Sequence, residues 1–205
     1  GNIAITNGEE AIYVQSAVSA KGDVELTSQK GLIDIDSSVS SLAGNVSATA
    51  DKSLTIDAGV TAQEDVTLSS TNDTVSVNKA VTSVTGNVSA TANKSLTIGA
   101  DVLAQENVTL ASTNDAVSVN KAVTSVTGNI SATANKFLTI GADVLAQKDV
   151  TLSSTNDAVS VNSAVTSVTG NVSATADKSL TIGADILAQK DVTLQSKSAN
   201  VKVDE

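Results

Sequence analysis

Residues 66–107 read VTLSSTNDTVSVNKAVTSVTGN followed by VSATANKSLTIGADVLAQEN, and this stretch decides the fold. It recurs almost unchanged at 108–149 and again at 150–191, each copy 42 residues long with no insertion or deletion. A diverged copy at 24–65 keeps the same length, and partial copies occupy 1–23 and 192–205. A fixed period of this size means a solenoid or array, in which each unit buries its apolar face only against its neighbours. The whole chain therefore reads as one repeat domain, expected to be a fragment of a longer array.

Each copy divides into similar halves of 22 and 20 residues. Three short runs recur in both halves. Val66-Thr67-Leu68 corresponds to Val88-Ser89-Ala90, Val75-Ser76-Val77 to Leu96-Thr97-Ile98, and the run from Val81 to Ser83 to that from Val102 to Ala104. Apolar residues alternating with Ser or Thr give the period-2 signal of a half-buried strand, and no segment shows a helical stripe. Three strands per coil, repeated identically, predict an all-β, parallel β-helix, right-handed by the crossover rule. About ten coils stacked at about 4.8 Å would make a rod roughly 45–50 Å long.

Stacking predicts ladders of like positions. Between the second and third strands fall Asp36, Asp57, Asn78, Gly99, Asn120, Gly141, Asn162 and Gly183, residue types that tolerate the left-handed conformation of a tight corner. Before the second strand, Asn72, Asn93, Asn114, Asn135, Asn156 and then Asp177 are expected to stack coil on coil as an inner ladder. Beside them run Asp73, Lys94, Asp115, Lys136, Asp157 and Lys178, alternating in sign, and this alternation is the expected reason for the double-coil period. A further column closes each coil: Asn2, Asp23, Asn45, Asp65, Asn87, Asn107, Asn129, Asp149, Asn171 and Asp191. Amide stacking there is expected to bridge the coils and satisfy turn backbone.

The composition fits a thin core. Tyr13 and Phe137 are the only aromatic residues, and Trp, Met, Cys, Pro, His and Arg are absent. An interior of Val, Ile, Leu and Ala suits a constant narrow cross-section, where a compact domain would use aromatic and Met side chains. An apolar content of 40% and a mean hydropathy of +0.11 argue against disorder. A net charge of −10 disfavours both nucleic acid and anionic membrane surfaces as partners. No apolar run approaches the ~18–20 residues of a membrane span, and none reads as a charged-then-apolar leader.

No catalytic set emerges, so an enzyme is not expected. Without His or Cys, the triads built on them and most transition-metal sites are excluded. Acidic pairs such as Glu9-Glu10 and Glu64-Asp65 lack the irregular loops and aromatic residues of a polysaccharide-cleaving groove. The glycine-rich nonapeptide of calcium-binding toxin repeats is missing, and no metal or cofactor is expected. Outward pairs such as Thr67 with Ser69 and Ser89 with Thr91 form a hydroxyl face, interrupted by Ala111, that could order water or meet a sugar. Sequons at Asn45, Asn87, Asn93, Asn107, Asn129 and Asn171 mostly coincide with ladder positions. Phe137 stands where other copies have Ser53, Ser95 and Ser179, and is expected to point outward beside an inward Leu138.

The run GNVSATANKSLTIGADVLAQENVTL, starting at Gly86, resembles the repeats of filamentous haemagglutinin and related exoproteins of two-partner secretion. The shared features are a Gly-Asn or Gly-Asp start, an alternating strand, and a Leu-Thr-Ile-like strand. The likeness covers essentially the whole chain. The 22/20 doublet, the scarcity of Gly and the near-identity of copies depart from that pattern. The resemblance implies a β-helical shaft in an adhesin or toxin-delivery protein, secreted or displayed on a Gram-negative surface. It implies an outer-membrane transporter as partner during secretion, and receptors of a host or neighbouring cell met by regions outside this stretch. The residues themselves point to a structural spacer whose contacts are neighbouring repeats. A self-assembling filament or matrix subunit, stacking end to end, and an ice- or polysaccharide-binding β-helix are the alternatives.

Overall fold

The computed structural model describes residues 1–204. Among them every regular element is a β-strand, and the strands assemble into three parallel sheets that wrap one continuous core. Ten-stranded sheet A runs from Ile3–Asn7 to Val192–Ser196, ten-stranded sheet B from Ile12–Val14 to Val201–Val203, and nine-stranded sheet C from Val18–Ala20 to Ile186–Ala188. Each strand pairs with its equivalent one coil away, as in Val66↔Val88, Val75↔Leu96 and Val81↔Val102. The expected parallel β-helix of about ten three-strand coils is the observed fold.

Inward and outward positions alternate along every strand, because successive side chains leave opposite faces of a pleated backbone. In Val66–Ser70, Val66, Leu68 and Ser70 are buried while Thr67 and Ser69 face outward. Phe137 is exposed and Leu138 fully buried, as the pattern predicts.

The double-coil period has a different origin from the one expected. Strands of sheet B begin at Val75, Leu96, Val117 and Leu138, a constant interval of 21 residues. Strands of sheet C are equally regular, from Val81 to Val102 to Val123. Only sheet A alternates, with strands starting at Val66, Val88, Val108 and Ile130, so that a long interval is followed by a short one and then a long one. One residue is thus moved across sheet A from one turn to the other in alternate coils. Turns 71–74 and 84–87 have four residues, whereas the turns stacked on them, 93–95 and 105–107, have three.

A four-residue turn over a three-residue turn cannot pair all its backbone groups, and buried serines repair the mismatch. Ser112, at the end of sheet-A strand Val108–Ser112, donates its hydroxyl to the carbonyl of Lys94 at 2.5 Å and accepts the Asp115 N–H at 3.0 Å. Ser125, at the end of its sheet-C strand, donates to the Glu106 carbonyl and accepts the Gly128 N–H at 3.0 Å. The same pair of bonds is made by Ser70 and Ser83 one unit earlier and by Ser154 and Ser167 one unit later. Where the following turn has three residues the position is Ala, as at Ala92 and Ala104. A buried hydroxyl is retained only where two backbone groups need it.

Core volume alternates in step. Leu68 shares its coil with the smaller Val75 and Val77, and Ala90 shares the next with the larger Leu96 and Ile98. Apolar bulk therefore shifts between sheets A and B while the cross-section stays filled, the large-beside-small arrangement that dense packing needs. The surface Asp/Lys column follows this alternation and does not cause it.

The corner between sheets B and C also differs from expectation. No described residue, glycine included, has positive φ. The corner N–H groups continue the parallel ladder, Asn78 to the Ile56 carbonyl at 2.9 Å and Gly99 to that of Val77 at 2.7 Å, which holds the backbone in the right-handed half of conformational space. Glycine is required instead in the four-residue turn before sheet A. A Cβ on Gly86 would lie 2.4 Å from Asp65 Oδ1 and 2.9 Å from the Glu64 carbonyl carbon.

Replacing Ser112 with Ala orphans the Lys94 carbonyl and the Asp115 N–H, at about 1–3 kcal/mol per buried group left unpaired. Thermal unfolding should show Ser112→Ala and Ser125→Ala well below wild type, and Ser153→Ala, on the outward face, close to it. Equal melting of all four proteins would contradict the repair role.

Candidate functional site

The column that closes each coil is the most continuous polar feature of the molecule. Each side-chain oxygen accepts the backbone N–H of the corresponding residue one coil on: Asn107 N–H to Asn87 Oδ1 at 3.0 Å, Asn129 N–H to Asn107 Oδ1 at 2.9 Å, Asp149 N–H to Asn129 Oδ1 at 3.0 Å. Asn side chains add a second bond through Nδ2, as from Asn129 to Asn107 Oδ1 at 3.0 Å and from Asn171 to Asp149 Oδ1 at 2.9 Å. The pattern extends from Asn2 and Asp23 to Asp191. The expected coil-to-coil bridging is present here.

Asp suits the column because the site offers donors. The backbone N–H of Asn171, followed by its amide, lowers the pKa of Asp149, and Asn45 does the same for Asp23. A lowered carboxylate pKa contributes stability above the unfolded value that is lost as pH falls through the folded one.

The second Asn column is broken into pairs. Asn114 Nδ2 donates to Asn93 Oδ1 at 2.9 Å, and the Asn114 N–H to the Asn93 carbonyl at 2.9 Å. Asn93 does not continue onto Asn72. Its N–H goes to the Ser70 carbonyl at 3.1 Å and its Nδ2 to the Thr71 carbonyl at 3.0 Å, because the extra residue of the long turn displaces Asn72. Asn72 instead donates to Asp51 Oδ1 at 2.6 Å, below it. Asn156 sits on Asn135 by a backbone bond of 2.9 Å, and the Asp177 carbonyl accepts the Ser198 N–H at 2.9 Å. Asn72, Asn114 and Asn156 are exposed, so the ladder is an outer, paired one.

The charged column is also paired. Lys94 meets Asp73 at 3.2 Å, Lys136 meets Asp115 at 3.3 Å and Lys178 meets Asp157 at 3.2 Å, each Lys reaching back one coil. Asp115 also accepts from the Ser95 hydroxyl at 2.9 Å, the larger cause of its lowered pKa, with Lys136 second. These half-exposed pairs are worth about 0–1 kcal/mol each. At the B–C corner, Asn78 Nδ2 donates to Asp57 Oδ1 at 2.9 Å, and Gly99, Gly141 and Gly183 alternate with Asn78, Asn120 and Asn162 where that side chain lies beside them. Asn162 accepts from Ser160 at 3.0 Å.

The sequon amides are engaged. Nδ2 of Asn45, Asn87, Asn107, Asn129 and Asn171 is held within the closing column, and that of Asn93 by Thr71. Asn72-Asp73-Thr74 is a further such tripeptide, its amide bound to Asp51. A glycan on any of them would cost a structural hydrogen bond.

Sheet A carries the predicted hydroxyl rows on its outer face, with Thr67↔Ser89 and Ser69↔Thr91 adjacent and Ala111 beside Thr91 and Thr133. Sheet B carries a similar row, Ser76↔Thr97↔Ser118. Sequence reasoning did not single out one acidic group. Carboxylate oxygens of Asp34, Asp36 and Asp57 lie within 4.8 Å of one another. Asp34 Oδ1 is shielded from solvent with no hydrogen-bond partner. Burial, then Asp36 and Asp57, raise the Asp34 pKa. The signal was the outward Asp in Ile33–Ile35, where the coils above it place Ser or Thr.

No family model, curated protein or solved structure matches the chain. No helix is long and apolar enough to cross a membrane among the described residues.

Three substitutions follow from this geometry. Asn107→Ala removes an acceptor of two bonds and a donor of one, and should cost about 1–2 kcal/mol in thermal or denaturant unfolding. Asn107→Asp should be nearly neutral at neutral pH, since Asp65 and Asp149 occupy the same column, and should lose stability in acid. At Asp34 the sign is opposite: a raised carboxylate pKa penalises the folded state above that pKa, and the penalty is relieved as pH falls through it. Asp34→Asn should therefore raise the melting temperature at neutral pH, with a gain that shrinks in acid. A gain independent of pH would refute the electrostatic account.

Proposed function

We propose that this solenoid is a shaft segment, a spacer of fixed length and high stiffness within a large exported bacterial surface protein. One observation carries the reading. The core and the closing Asn/Asp column continue from coil to coil, the buried serines recur in every second coil, and the described coils repeat one three-strand outline. A rod built this way transmits position along its axis and resists bending, because each coil is bonded to the next on three sheets.

The Gly-Asn, alternating and Leu-Thr-Ile strands that resemble filamentous haemagglutinin repeats support an adhesin or toxin-delivery protein as the parent. In that setting the chain is exported through an outer-membrane transporter, stands on the cell surface, and leaves receptor contact to other regions. It carries no catalytic activity of its own.

Two measurements test the proposal. Deleting residues 108–149 removes two coils and should shorten the rod by about 10 Å in electron micrographs, with the fold intact. The purified segment, labelled and presented to host or bacterial cells, should not bind; saturable binding would replace the spacer reading with an adhesive one.

A second reading, an end-to-end filament, is favoured by the unpaired edge strands at the two ends, Ile3–Asn7 and Val192–Ser196 among them. Long fibres in micrographs of the purified segment would support it. The hydroxyl rows of sheet A support a third, ice or polysaccharide binding, for which thermal hysteresis and glycan binding are the assays.

A further inference from the structure

Sheet C differs from the other two faces in the central units. Where sheets A and B place Ser or Thr outward almost throughout, sheet C alternates Leu with Thr: Thr82↔Leu103↔Thr124↔Leu145↔Thr166↔Leu187. Leu103 and Leu145 are 40% and 41% exposed. Val84, Val126 and Val168 open the four-residue turns beside this row and are 46%, 44% and 44% exposed. Val84 lies diagonal to Leu103, within reach of a long side chain, so the apolar groups form a zigzag stripe along the rod. In the diverged copy the two positions equivalent to Thr82 and Leu103 are Ser40 and Thr61, so a hydroxyl residue satisfies the fold there. The leucines are not demanded by the coil. Contiguous exposed apolar surface of this kind marks contact.

The flank before sheet C alternates as well. Exposed Lys79 and Lys121 belong to the coils that carry Thr82 and Thr124, and exposed Asp101 and Asp143 to the coils that carry Leu103 and Leu145. Across the four coils from Val81–Ser83 to Val144–Ala146, shape and charge therefore both invert from one coil to the next, and in the following coil Ser163 takes the place of the Lys. A surface with that property is complementary to itself when turned end for end and shifted by one coil.

We propose that sheet C is a lateral docking surface for a second copy of this chain, packed antiparallel. A two-fold axis perpendicular to the rod, midway between the strands Val102–Ala104 and Val123–Ser125, sets the register. Leu103 then lies over the partner's Thr124, and Leu145 over the partner's Thr82. On the same flank Lys121 faces the partner's Asp101, and Lys79 faces the partner's Asp143. A parallel pair would instead place Leu on Leu and set the charged flank against the Gln/Val side. The net charge of −10 opposes association in general, and in the outer coils Asp185 meets the partner's Asp36, so the complementary charges are those of the four central coils.

Area sets the strength. Eight of the nine strands overlap in this register, and at about 4.8 Å each with a contact strip about 10 Å wide they give about 380 Å² per rod, below the ~800 Å² per partner of a standard stable complex. A segment of this length therefore pairs weakly, and each added 42-residue unit extends the stripe by two coils. Pairing is independent of the spacer reading, since it concerns copies of the rod and not a receptor.

Sedimentation equilibrium across a concentration series tests the proposal. The expected wild-type behaviour is a monomer–dimer equilibrium, weakened by salt. The triple variant Leu103→Thr, Leu145→Thr, Leu187→Thr, which installs a residue the column already uses, should keep the melting temperature and raise the dimer dissociation constant at least about tenfold. Spin labels on a Ser19→Cys variant, unique because the chain has no cysteine, report orientation. Antiparallel pairing places the two labels about nine coils, roughly 43 Å, apart along the rod, whereas parallel pairing brings them side by side. A wild-type segment that stays monomeric at millimolar concentration, a triple variant that dimerises equally, or a short label distance would each overturn the proposal.

Discussion

Between the two ends of this molecule, each strand pairs in register with its equivalents one coil to either side. That constraint governs the rest. Parallel in-register pairing forces each coil to close on the same outline as its neighbours, so a residue added in one place must be withdrawn in another. Sheets B and C hold to a 21-residue interval through the repeated units. Sheet A absorbs the departure, and it does so in compensating pairs.

The doublet is thus a packing device. Long turns bring a buried serine, short turns an alanine, and the apolar bulk crosses from Leu68 on sheet A to Leu96 and Ile98 on sheet B. These substitutions are linked: lengthening one turn without its serine strands a carbonyl, and changing one core layer without its partner opens a void or a clash. The surface ion pairs ride on this arrangement at small energetic effect. The closing Asn/Asp column contributes differently, by giving turn N–H groups an acceptor that does not depend on turn length.

Much of this was legible in the residues alone. Alternation of Val, Leu or Ile with Ser or Thr located the strands, and the closing column followed from spacing. Other features were not legible, each for a physical reason. Ser70 and Ser83 resemble the outward serines beside them, and burial separates them only once the pleat is phased. The visible clue was that Ser alternates with Ala in step with turn length. The Asn and Gly corner suggested a left-handed residue, but a tight corner that keeps its ladder bonds has no freedom to adopt one. The column from Asn72 to Asp177 reads as continuous because its members recur at equal sequence intervals, whereas the extra turn residue displaces every second member. Asp34 replaces the Ser or Thr of the coils above it, but the Asp36 and Asp57 carboxylates that gather around it are brought there only by the folded coils.

Near-identity of units has a consequence for how the chain finds its structure. A one-coil slip during assembly sets serine where alanine belongs and leucine against leucine, so it is rejected at once. A slip of a whole unit meets no such penalty, because residues 108–149 and 150–191 present almost the same core, serines and closing column to the coil beneath. The energy gap that normally separates a native register from its nearest competitor is therefore narrow along the central units. What distinguishes the correct alignment among these residues is the diverged stretches, the unit at 24–65 and the partial copies at 1–23 and 192–205. Fidelity in this rod therefore rests on the few coils that differ from the rest.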